Sequence, residues 1–112
     1  MILKPREKIH VIHRRIFEKD LHRHFVGTVD WHETGVARVT GYVYTVDGAK
    51  FEFVRRPDIR TRLISVVSGD LLINILPDSV DIDKVVYHQE AKAVRVTDGS
   101  GWHLDLSEFA WR

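Results

Sequence analysis

The 112-residue chain contains no cysteine. Disulfides, thiolate zinc sites and cysteine nucleophiles are therefore excluded, and the lack of thiols fits a reducing compartment. Proline is scarce, with three residues, so few positions are barred from a β-ladder. No apolar run approaches the roughly 20 residues of a membrane span. The start, MILKPREKIHVIHRR, has neither the apolar centre nor the small-residue cleavage site of a secretory signal. The expected location is the cytoplasm, away from membranes. No HExxH, GxSxG, GxGxxG or glycine-rich phosphate loop occurs either. No catalytic residue, metal ligand set or cofactor is assigned, and a non-enzyme is expected.

An excess of either charge is also missing, since the formal net charge is +1. The distribution is uneven. Residues 1–62 hold 13 Lys+Arg against 8 Asp+Glu (+5), and residues 63–112 hold 4 against 8 (−4). Chance and pairing between the two parts account for this ahead of a basic face for an anion.

What the chain has in abundance is alternation. Apolar and polar residues recur with a period of two, rich in Val, Ile, Thr and aromatics, between short turn signals. These turns are Glu33-Thr34-Gly35, Asp47-Gly48, Ser68-Gly69-Asp70, Pro77-Asp78-Ser79 and Asp98-Gly99-Ser100-Gly101. The expectation is one all-β domain over residues 1–112, a small barrel or sandwich of seven to nine mostly antiparallel strands. Residues 5–18 pose the one helix-or-strand question. Ile9, Ile12 and Ile16 have helical spacing, but β-branching favours a strand.

Two hairpin registers follow from the turns. A two-residue Asp47-Gly48 loop puts Tyr44 opposite Phe51 and Tyr42 opposite Phe53. A Thr34-Gly35 loop puts Trp31 opposite Arg38, Gly27 opposite Tyr42 and Phe25 opposite Tyr44. Together they predict a meander over about 23–55 with Phe25, Tyr42, Tyr44, Phe51 and Phe53 on one face. The other face, with Val26, Val39, Gly41, Val43 and Val54, is also apolar. A sheet apolar on both sides needs cover on both, so a homo-oligomer is expected. Downstream, residues 59–67 and 71–76 are expected to pair as a hairpin about Ser68-Gly69-Asp70. A last set of strands follows through VVYHQ, RVT and WHLDL. Phe109 and Trp111 in the tail are expected to dock rather than stand in water.

The segment RRPDIRTR concentrates four arginines, Arg55, Arg56, Arg60 and Arg62. Pro57 sets a strand end or bend, and Arg60 and Arg62, two apart, share a face. Guanidinium forks match phosphate and carboxylate geometry, so these four form the candidate anion-binding site, for nucleic acid or a nucleotide. Internal pairing with Asp58, Asp70, Asp78 or Asp81 is the equal alternative. His10, His13, His22 and His24 lack fixed metal-ligand spacing and are expected on the surface. Asp81 and Asp83 are assigned to a solvated turn.

Two local resemblances stand beside this reading. Arg56-x-x-x-Arg60 with Asp98-x-Ser100 resembles the PilZ cyclic-dinucleotide pattern. His103 stands where that pattern has glycine, however, and the arginines lie between strands rather than ahead of a barrel. Residues 63–78, LISVVSGDLLINILPD, resemble the second signature hairpin of Sm-like RNA-binding rings, which implies a small barrel that assembles into a ring. This covers one hairpin, and no family is assigned.

Overall fold

The computed structural model describes residues 3–13, 23–47, 52–90 and 93–106. Nine strands lie among them, in a six-stranded and a three-stranded sheet, every pairing antiparallel. The chain divides into two compact units, Met1–Asp78 and Ser79–Arg112. The all-β expectation is met.

In the first unit the strands are β1 (Lys8–His13), β2 (Arg23–Glu33), β3 (Val36–Asp47), β4 (Glu52–Arg55), β5 (Arg60–Ser65) and β6 (Leu71–Leu76). The β-branched residues from Ile9 to Ile12 lie in a strand, as their side chains favour, and residues 14–18 of the expected segment lie outside the described residues. The order is β4-β3-β2-β1-β6, with β5 also on β3. Thr34 and Gly35 both have positive φ, 47° and 80°, the backbone of a type I′ hairpin turn. Trp31 therefore faces Arg38, as expected.

Three residues on, the register changes. A bulge between Val29 and Trp31 shifts the ladder by one, so Gly27 faces Gly41 and Phe25 faces Val43. The Asp30 carboxylate accepts a hydrogen bond from the Thr40 hydroxyl at this point. A one-residue shift exchanges faces. Phe25 thus lies on the face opposite Tyr42 and Tyr44, and Tyr42 faces Val26 rather than Gly27. This corrects the expected single aromatic face. Tyr42, Tyr44 and Phe53 do share a side, because Val46 pairs with Phe53. The β3–β4 register differs from the expected one by an even number, which preserves faces. Phe51 and the Asp47-Gly48 loop lie outside the described residues in whole or part.

One face of the large sheet carries the core: Leu3, Ile9, Val11, Phe25, Val29, Ala37, Val39 and Val43, with Ile64, Val66, Leu71 and Ile73 packed against it. Residues from both edge strands thus meet one cluster, which a single sheet achieves by curling. Opposed Gly27 and Gly41 let the backbones close in where it bends. A Cβ on Gly41 would strike Val26 O and Gly27 Cα, and one on Gly27 would strike Thr40 O and the Phe25 ring.

The expected hairpin between residues 59–67 and 71–76 is not formed. β5 pairs with β3 and β6 with β1. Of the intervening residues, Val66 donates its N–H to Gly35 O in the β2–β3 turn (2.9 Å), and Ser68 donates its N–H locally to Ser65 O (3.5 Å). The edge of β3 was the available partner, because β5 continues the antiparallel course of β4 along it. The sheet therefore does not close into a barrel, and the Sm-like hairpin is absent.

The second unit holds a 3-10 turn (Ile82–Lys84) and the meander β7 (Val86–Glu90), β8 (Ala93–Thr97) and β9 (His103–Asp105). Val94 and Val96 are buried on one side of β8. The Asp81 side chain caps the 3-10 turn by accepting Asp83 N–H at 3.1 Å, which agrees with the solvated-turn reading. Phe109 and Trp111 lie outside the described residues. Among the described residues no helix is long and apolar enough to cross a membrane.

Candidate anion-binding site

Strand pairing sorts the arginines. Arg62 is the partner of Val39 and Arg60 of Gly41, so both stand on the core side of β5, at its open margin. Arg23, opposite Thr45 on β2, shares that side by parity. The Arg62 guanidinium pKa is lowered, first by partial burial and then by the positive charges of Arg60 and Arg23. Three permanent cations therefore lie within electrostatic reach of one another. Gly41 and Gly27 continue the row from Arg60 across the sheet, with the Phe25 ring against the Gly27 position.

Arg55 faces the other way. It pairs with Tyr44, and its guanidinium carbon lies 4.7 Å from the centre of the Tyr42 ring, a cation–π distance. Arg56 sits in the loop between β4 and β5, its N–H donating to Val43 O at 2.8 Å. The segment is thus split between the two sides of the sheet, and Arg23 is the cation that sequence inspection overlooked.

Among the described residues, Arg23, Arg56, Arg60 and Arg62 form no ion pair with a carboxylate. Of the acidic groups named as possible partners, Asp81 meets Lys84 instead, at 4.0 Å.

Two of the histidines expected on the surface are buried, while His13 is exposed. His10 and His24 are buried on the side opposite the apolar core. Asn74 Nδ2 lies 3.2 Å from His10 Nδ1, and His10 Nε2 lies 3.0 Å from His24 Nδ1. The three side chains form one hydrogen-bonded chain across β6, β1 and β2. The Phe53 ring packs 4.8 Å from His24. Burial lowers the His10 pKa to about 4, which keeps His10 neutral near pH 7. Cross-strand register, not sequence spacing, assembles this chain. Asn74 faces His10 directly, and His24 sits diagonally on β2. His22 lies outside the described residues. Among the described residues no three His, Asp or Glu side chains gather as metal ligands.

Compared with known proteins, the chain matches no family model, no curated protein and no solved structure.

Proposed function

We propose that the protein is a non-catalytic binding module for an anionic ligand, nucleic acid or nucleotide, held by Arg60, Arg62 and Arg23, with Arg56 in the adjoining loop. The observation that carries this reading is the crowding of Arg23, Arg60 and Arg62 without a carboxylate partner among the described residues. Mutual repulsion of three guanidinium groups is relieved by an anion, and phosphate matches their fork geometry.

The test is the salt dependence of single-stranded oligonucleotide binding. Each lost phosphate contact lowers the slope of log K against log salt by about 0.7. Arg60→Ala with Arg62→Ala should therefore flatten it by roughly 1.4. Both side chains project from an edge strand, so the variant keeps its fold. Unchanged binding in the double variant, or no binding at low salt, overturns the reading.

A second reading is a homo-oligomer joined through β6. Among the described residues no strand pairs with the outer edge of β6. Its sequence, LLINIL, has no charge, and Ile75 is 55% exposed. An uncharged open edge is a template for another strand, and a second copy of this chain offers the same edge.

A further inference from the structure

We infer a second ligand site, independent of the arginine patch, in the second unit: a cleft that takes an aromatic phosphate of mononucleotide size. The cleft has a volume of about 320 Å³ and is lined by His88, Arg95, Thr97, Gly101, Trp102 and His103. That volume lies at the small end of the range for small-molecule pockets, about 300–1,000 Å³.

The lining follows from strand parity. Val94 and Val96 turn inward from β8, so Arg95 and Thr97 stand on its other side. His88 on β7 is directly opposite Arg95, and His103 on β9 is directly opposite Thr97. Two imidazoles and a guanidinium thus share one side of a three-stranded sheet. The cleft lining contains no carboxylate. Asp105 on β9 is the ladder partner of Arg95 on its far side, but Arg95 forms no ion pair among the described residues.

The fourth wall is a loop set by its own hydrogen bonds. The Asp98 carboxylate accepts from Asp81 N–H (2.8 Å), Ser100 N–H (3.0 Å) and the Ser100 hydroxyl (2.6 Å). These bonds, the Ser100 hydroxyl first, lower its pKa to about 2. Thr97 donates its hydroxyl to Trp102 O (2.6 Å) and accepts Gly99 N–H (3.1 Å). Gly99 and Gly101 supply the positive φ values, 84° and 98°, that turn the chain back. Trp102 is thereby held as a half-buried wall beside Arg95 and the imidazoles. An indole face stacks a planar base, and a guanidinium grips a phosphate bidentately. The cleft juxtaposes the two, and the Thr97 hydroxyl is already engaged in holding the wall.

The test uses the full chain, titrated with adenosine monophosphate, adenosine and inorganic phosphate, by calorimetry and by the backbone and indole N–H resonances. Adenosine monophosphate should bind more tightly than either fragment and shift the Trp102 indole signal, assigned with Trp102→Phe. Arg95→Gln, at an exposed position, should weaken adenosine monophosphate about ten-fold and leave adenosine unchanged. Trp102→Leu should weaken both by a factor on the order of ten, as loss of a base–aromatic stack does. Arg60→Ala with Arg62→Ala should change none of this, which separates the cleft from the arginine patch. Equal affinity for adenosine and its monophosphate, or for phosphate and the monophosphate, overturns the inference. So does loss of binding in the Arg60/Arg62 variant, or resonances of residues 88, 95 and 101–103 that fail to move.

Discussion

Replacing Gly41 with alanine tests the bend of the large sheet. The added methyl would meet the carbonyl oxygen and carbon of Val26 and the Cα of Gly27. All three atoms are backbone of the neighbouring strand, and no flexible side chain is available to move aside. Relief requires β2 and β3 to separate at the point where their backbones come closest. Overpacking against side chains costs about 1–3 kcal/mol, and more where nothing yields, so about 3 kcal/mol is expected here. That corresponds to a fall in Tm of roughly 12–24 °C for a chain of this size. Two other glycines calibrate the result. Gly69 has nothing within 4 Å of an added Cβ, so Gly69→Ala should stay within about 0.5 kcal/mol of the parent. Gly99 has equal space but a φ of 84°, so Gly99→Ala should lose about 1 kcal/mol to backbone strain alone. Thermal and urea unfolding followed by circular dichroism would rank the three. A Gly41→Ala protein melting within about 4 °C of the parent would show that the close approach does not govern stability.

Acidification tests the buried imidazole chain. The unfolded chain protonates His10 near 6.5, while burial holds the folded value at about 4. Stability is therefore full above pH 6.5 and declines as pH falls to 4, by about 3 kcal/mol. His10→Gln, which leaves nothing to protonate between Asn74 and His24, should flatten that part of the urea-midpoint profile. Parallel profiles for parent and variant would refute the assignment. For the β6 edge, light scattering at high micromolar concentration should give a dimer or larger particle, and Ile75→Lys should return it to 13.0 kDa. A parent that already scatters as a 13.0 kDa particle removes the homo-oligomer reading.

Alternation and turn chemistry carried the strands and the hairpin at Thr34-Gly35. Thr34-Gly35 predicts its own turn and the Trp31–Arg38 pair, because both depend on adjacent residues. The prediction fails at Asp30, where one extra residue enters the ladder. Periodicity does not register a bulge, and a single slip was enough to send Phe25 to the opposite face. The hairpin across Ser68-Gly69-Asp70 fails for another reason. The turn is local, but the partners of β5 and β6 lie 19 or more residues away along the chain. The site divides in the same way. Arg60 and Arg62 share a face by their spacing alone. Adding Arg23 requires the register of three strands. The His10–His24–Asn74 chain likewise spans β1, β2 and β6, so no local motif could have signalled it. In the second unit, Asp98-Gly99-Ser100-Gly101 is legible as a turn, but its role in positioning Trp102 rests on hydrogen bonds to Thr97 and Asp81.

The ladder of β3 resumes its antiparallel course on either side of the arginine loop. Tyr44 faces Arg55 and Gly41 faces Arg60. Four residues, 56–59, therefore stand opposite two, 42 and 43. A loop excluded from pairing while both flanks stay zipped is free to change in length and lettering. Its residues are released from the pairing rules that tie the flanking strands to the core. Over evolutionary time, this edge can diverge while the sheet that carries it stays constant.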